Sequence, residues 1–345
     1  MSSWRSRGRG LAVAGLVWIT SLASASALAA QAGVGSLDRS EPGRLAESCS
    51  GDGSVWLAGA CAEAALAGAS LLEGIGLLAA SGGALPVSPS TVGHRIDGVP
   101  RVVVDAGVNV ARVRHVDLAA PPGSLAETHS ALLAGRLTAT VGIFEGFRPV
   151  ATVGGVGAVD GVATLRVVRL PDGPGEHSRS SFVWGAGARI GLVRESFSLP
   201  GITLTAMHHR VGTIRSGEMP DGGPQILLNP RITSARLEVG KDLLALGFTG
   251  GAGVDRVGGR ARIRAEAGRP TPGGTPETGE ASRDGLTRTR PSFFAGLNYT
   301  WLVTQVAGEV TWSPGRDLRD PSLPLDVFPL DQGQVQATLT FRLIY

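Results

Sequence analysis

The sequence predicts an all-β chain, an antiparallel transmembrane β-barrel of about ten strands, preceded by an apolar and helical N-terminal segment. Three observations predict it. An export signal opens the chain, period-two segments recur from Val99 to the end, and the connections between those segments alternate long and short. Period two places successive side chains on opposite faces of a strand, and a barrel in lipid needs one apolar face on every strand.

Residues 1–29 read as a secretory signal peptide. Arg5, Arg7 and Arg9 precede an apolar run from Leu11 to about Ile19, and Ala27-Leu28-Ala29 fits a small-residue cleavage site. That segment carries the whole charge excess: without its three arginines the 32 basic residues become 29, equal to the 29 acidic ones. A formally neutral mature chain gives no reason to expect a nucleic-acid partner.

Residues 30–98 form an N-terminal segment. Cys49 and Cys61 are its cysteines and the only two in the chain, and an exported pair reads as a disulfide. No metal or cofactor site is expected from them, because zinc takes about four ligands. The run Val55 to Ala80, "VWLAGACAEAALAGASLLEGIGLLAA", is rich in Ala and Leu and predicts a helix capped by Ser54 or Asp52. Glu63 and Glu73 argue against an inner-membrane span, so the helix is expected to pack on protein, as a plug in the lumen or against the periplasmic rim.

Residues 99–345 are expected to form the barrel. In the first segment, Arg101 to Val113, Val102, Val104, Ala106, Val108 and Val110 oppose Arg101, Asp105 and Asn109. Later segments follow at 136–144, 150–169, 182–192, 202–210, 232–239, 244–266 and 293–301. A ninth begins after a turn near Leu302, where the parity flips, and the tenth is "QVQATLTFRLIY" at the end. Long joins near 114–133, 170–180, 211–229, 267–290 and 313–333 alternate with short ones near 146–149, 195–200, 240–243 and 302. Tight turns on one side and long loops on the other are the arrangement of an outer-membrane barrel, with both termini periplasmic. A soluble β-sandwich also has alternating strands, but it does not predict that alternation of connections or strands of this length. Trp184, Trp301 and Trp312 fall at or near strand ends, where interfacial aromatics belong.

The last strand resembles the C-terminal assembly signal of bacterial outer-membrane barrel proteins through Thr338, Leu343 and the terminal aromatic Tyr345, with Thr340 in place of the signal's glycine. The resemblance implies outer-membrane lipid and the barrel assembly machinery as partners. The layout of an N-terminal plug before a barrel is also similar to that of fatty-acid transport barrels, although no copy of their N-terminal motif is present.

With polar faces inward, the lumen is expected to hold Arg101, Asp105, Arg136, Arg166, Arg189, Arg236, Glu238, Glu309 and Arg342. Two readings follow from this set. The first is a narrow pore for a small solute, with the arginines setting selectivity. The second is a structural or adhesion barrel whose lumen is closed by ion pairs and whose external loops do the work. A lipid hydrolase would need a convergent Ser-His-acid set; His209 and Ser196 or Ser198 fall at opposite ends of neighbouring segments, so no enzyme is expected.

Overall fold

A computed structural model of the chain describes residues 41–81, 92–93, 95–96, 98–118, 127–148, 155–170, 180–217, 224–267, 277–315 and 333–343. The expected signal peptide and Tyr345 lie outside them. Two helices, α1 (Glu41–Ser50) and α2 (Val55–Ala80), precede ten long strands: β1 (Val102–Val116), β2 (Glu127–Phe144), β3 (Ala158–Arg169), β4 (Ser180–Val193), β5 (Gly201–Val211), β6 (Gln225–Leu243), β7 (Leu246–Ala267), β8 (Glu277–Trp301), β9 (Thr304–Ser313) and β10 (Gln334–Leu343). Each pairs antiparallel with the next, and β10 pairs back onto β1 through Phe341↔Ala106 and Leu339↔Val108. The barrel is therefore closed, and its strands leave no long edge unpaired.

The strands carry two patterns stacked along the barrel axis. In the half nearest the short turns, the outward residues are apolar and the inward ones polar. On β1 the exposed Val102, Val104, Val108 and Val110 alternate with buried Asp105 and Asn109. Eight residue steps from Val102 to Val110, at ~3.4 Å each and a tilt of ~40°, span roughly 20 Å, close to the ~25 Å apolar band of an outer-membrane barrel. Aromatics mark both margins. Phe182, Trp184 and the stacked Phe293–Trp312 pair (centroids 5.8 Å apart) lie toward the long-loop side, and Phe144, Tyr299 and Trp301 toward the short-turn side, all of the tryptophans about half exposed or more.

Beyond that band the pattern inverts. Arg112 on β1, Arg169 on β3, Arg210 on β5 and Arg231 on β6 now point out, while Ala111, Val113, Val168, Val211, Ile226, Leu228 and Ile232 point in and are buried. The long-loop half is thus a water-exposed cylinder with an apolar interior. Arg260 donates to Asp284 from Nε (2.5 Å) and Nη2 (3.0 Å), and Arg264 to Glu280 from Nη2 (2.7 Å) and Nε (3.1 Å). These bonds, both on its outer face, hold the two carboxyls below their ordinary range.

This inversion corrects two expectations. Residues 267–290 read as a solvated loop, but β7 runs to Ala267 and β8 starts at Glu277. Likewise β6 begins at Gln225 rather than Ile232, and β2 at Glu127 rather than Arg136. Above the band the outward residues are charged and Pro or Gly interrupts them, so the strand pattern continues with its polarity reversed. At the other end the connections are two residues between β6 and β7 and between β8 and β9, with Leu244 (φ 59°) and Leu302 (φ 53°) in the left-handed region. The β2–β3 connection is longer than expected, since β3 starts at Ala158 and a Phe147↔Val156 bridge closes the turn.

Candidate functional site: a lumen filled by the N-terminal helix

Helix α2 lies inside the barrel. Ala and Leu give it helix propensity, and Ser54 caps its start by accepting from the Leu57 N–H at 3.4 Å. A helix apolar on every side must be surrounded, and from Leu57 onward almost every side chain of α2 is buried. Its partners are the apolar lining of the long-loop half: Leu66, Leu71, Ile75 and Leu78 join Ala111, Val113, Ile226, Leu228, Ile232, Val257 and Ile263 in one core. Each large side chain so buried contributes about 1.5–3 kcal/mol relative to exposure.

The helix glycines set how closely it approaches the wall. A Cβ at Gly68 would overlap Ile226, one at Gly74 would overlap Val113, and one at Gly76 would overlap Val257. Glycine inside a helix costs about 1 kcal/mol against alanine, and here close packing offsets that cost.

The helix enters from the long-loop end. Glu41 Oε2 accepts from Thr287 N–H (2.9 Å), Glu277 Oε2 accepts from Ser54 N–H (3.0 Å), and Val55 and Trp56 are exposed at the mouth. The structure joins Cys49 to Cys61, which ties α1 to the first turns of α2. Residues 41–54 therefore sit at the opposite end of the barrel from Val102 and Leu343, while the termini themselves lie outside the described residues.

Inside, Glu73 pairs with Arg288, and its carbonyl accepts from Arg290 Nη1 at 2.9 Å. At the helix C-terminus Arg166 Nη1 donates to Leu78 O (2.5 Å) and Ser81 O (2.9 Å), while Ser81 Oγ bonds Leu77 O and Gln336. A cation on the last carbonyls satisfies acceptors the helix leaves open and complements its dipole.

Below α2 the lumen is crossed by polar side chains. Arg136 meets Asp105 at 3.4 Å and Thr340 at 2.6 Å, Arg236 meets Glu309 at 3.2 Å and lies 4.9 Å from the Phe294 ring centre, and Arg189 meets Asp160 at 3.4 Å. Asp160 also accepts from the Gly93 N–H at 2.6 Å, so the chain is held to the wall again before β1 begins. Arg236→Ala removes the buried cation that meets Glu309, and we expect a loss of about 3–5 kcal/mol, read as a lowered thermal unfolding midpoint in detergent.

Of the residues expected in the lumen, Asp105, Arg136, Arg166, Arg189, Arg236, Glu238, Glu309 and Arg342 point inward and are buried, whereas Arg101 is part-exposed just below β1. Arg166 is set apart from the others because it holds the helix rather than a carboxylate. Sequence reasoning missed Asp160, Asp255, Arg288 and Arg290. The last two fell in the presumed loop 267–290, and Asp160 was assigned no face. Asp160 and Asp255 are matched by Arg288 and Arg290 on the same inner wall, so the excess of arginine read from the sequence remains there.

Of the assembly-signal residues, Thr338 points inward on β10 and Leu343 ends that strand facing out. His209 is buried on the inner face of β5, while Ser196 and Ser198 lie in the β4–β5 turn at the short-turn end. No group of three His, Cys, Asp or Glu residues arranged for a metal occurs among the described residues.

A closed antiparallel barrel with an apolar outer band between aromatic margins has one natural solvent around its waist, which is lipid. The fold is that of an outer-membrane β-barrel. No protein family matches the chain by sequence, and no curated protein does. Among solved structures, the barrel resembles the translocator domain of the autotransporter NalP from Neisseria meningitidis, with 9% identity and a TM-score of 0.39, over 71% of this chain and 89% of that one. It also resembles the toluene transporter TodX of Pseudomonas putida, with 10% identity and a TM-score of 0.32, over 77% of this chain and 94% of that one. A third is Ail, the attachment invasion locus protein of Yersinia pestis, with 10% identity and a TM-score of 0.24, over 70% and 96%. These outer-membrane barrels have differing roles.

Proposed function

We propose that this barrel is a closed one whose lumen is sealed by its own N-terminal helix, and that it acts as a structural or adhesion barrel through what it presents at the long-loop end. The observation that carries the reading is α2 itself, packed against an apolar interior that only the inverted half of the strands provides. A water-filled pore has a polar lining along its length, and a lining of Val113, Ile226, Leu228, Val257 and Ile263 is unfavourable against water. Short turns facing the periplasm place the long loops, α1 and the exposed Trp56 outside the cell.

A narrow pore for a small solute is the second reading. It requires α2 to leave, and the polar belt of Arg136, Arg189 and Arg236 would then line the passage. An epitope inserted at the exposed Asp52 tests the first reading. We expect a membrane-impermeant antibody to label it on intact cells. Labelling only after the outer membrane is breached would reverse the orientation and remove the display role.

A further inference from the structure

The outer wall above the apolar band carries a feature that the sealed lumen does not use. On the adjacent strands β5, β6 and β7, Arg210, Arg231 and Arg256 are exposed on the outer face. Arg210 pairs in register with Arg231, and Arg231 with Gly258, two positions from both Arg256 and Arg260. These residues surround a hollow of about 800 Å³, with Gly258 and Gly259 among its lining and Asp284 and Thr287 of β8 on its far side. The lack of a side chain at Gly258 keeps it open, because a Cβ there would lie 2.9 Å from Thr287 Oγ1.

The hollow's charge is one-sided. Four guanidiniums line it with a single carboxylate, Asp284, which Arg260 already engages. Its height is fixed by its neighbours: Arg256 stands one outward step beyond the lipid-facing Val254, and Arg210 lies 5.6 Å from the ring centre of Trp184, in the aromatic margin. Directly below Arg210 and Arg231 stand the outward His208 and Thr233, joined at 3.0 Å, and beneath them Leu204, Ala206, Ala235, Leu237 and Val254 form apolar wall. The ligand that fits is anionic at the top, where forked guanidiniums bind phosphate oxygens two at a time, and acyl-chained beneath.

We propose that the Arg210–Arg231–Arg256 hollow binds the phosphate groups of a phosphorylated lipid in the leaflet at the long-loop end. The site anchors the barrel's height and rotation through lipid headgroups, independently of what fills the lumen.

The test uses the full mature protein refolded in non-ionic detergent, titrated with bisphosphorylated lipid A and with the same lipid stripped of phosphate, and read as retained lipid by native mass spectrometry. We expect the phosphorylated lipid to bind at least roughly tenfold more tightly, and the triple variant R210Q/R231Q/R256Q to lose that preference. Arg112→Gln, outward on β1 away from the hollow, should leave it intact. Unaltered heat-modifiable gel mobility establishes that the variants are folded, and the single variant R231Q replaces the triple one if it does not fold. Equal retention of both lipids, or undiminished preference in the variant, overturns the proposal. Displacement of the lipid by an equal concentration of inorganic phosphate overturns it too, reassigning the site to a soluble anion.

Discussion

Removal of residues 41–98 from the mature protein is expected to turn a barrel that is silent in a planar bilayer into one that passes ions in resolvable steps. In the intact chain two layers close the lumen. Helix α2 fills the long-loop half, and its C-terminal carbonyls are held by Arg166. Below it, Gly93 is bonded to Asp160 beside the Arg189 pair. Deletion takes out the helix and Gly93 together, leaving the arginine–carboxylate belt as the constriction. Deletion also removes Glu73 and leaves Arg288 and Arg290 on the wall, where arginines outnumber the acids, so the passage should prefer anions. Deletion should also lower the thermal midpoint, because Val113, Ile226, Leu228, Val257 and Ile263 lose their apolar partner, at about 25 cal/mol for each Å² exposed to water. An intact protein that conducts as readily as the deleted one would show that α2 does not seal the lumen.

Substituting leucine at both Gly74 and Gly76 is expected to unseat the helix while leaving the barrel wall folded. At these positions even a methyl group would overlap Val113 of β1 and Val257 of β7. Overpacking of a filled core costs typically 1–3 kcal/mol per site, and leucine adds three more carbons to each clash. The wall cannot yield easily, since β1 and β7 are each hydrogen-bonded on both sides within a closed ring. The helix must give way. The variant should show protease cleavage within residues 55–81 at unchanged heat-modifiable mobility, and steps in the bilayer where the parent has none. Shortening the wall side chains with Val113→Ala and Val257→Ala should restore the seal in part. Leucine at the exposed Val55, at the mouth, should change neither readout. A seated helix in the Gly74/Gly76 variant would show that the contact is slack.

Much of the waist was legible from sequence, because there the strand has to satisfy lipid on one face and polar company on the other. The alternation of Val102 to Val110 with Asp105 and Asn109 follows from that single demand, as does the facing of Arg136, Arg189, Arg236 and Glu309. Residues 277–290 of β8 were not legible, because outside the membrane a strand with charged residues outward and Ala281 and Leu286 inward reads like a loop with scattered apolar residues. Nor does alternation say which face is inside once both solvents change. Arg112 and Val113 obey the same period as Val110 and Asn109 with the opposite meaning.

By itself the sequence determined that the chain forms about ten long alternating strands, that one cysteine precedes a long apolar helix and a second lies in its first turns, and that certain arginines face away from lipid. Those are local properties, set by the period of side chains along a strand or helix and by the solvent each face meets. Only the tertiary structure decided that the helix lies in the lumen, that it enters from the long-loop end, and that Arg166 closes its C-terminus. It also decided that Arg210, Arg231 and Arg256, separated by more than twenty residues at each step, come together on the outer wall. Those facts depend on which strands become neighbours when the sheet closes and on how far each strand runs past the membrane, and no side-chain period carries that information.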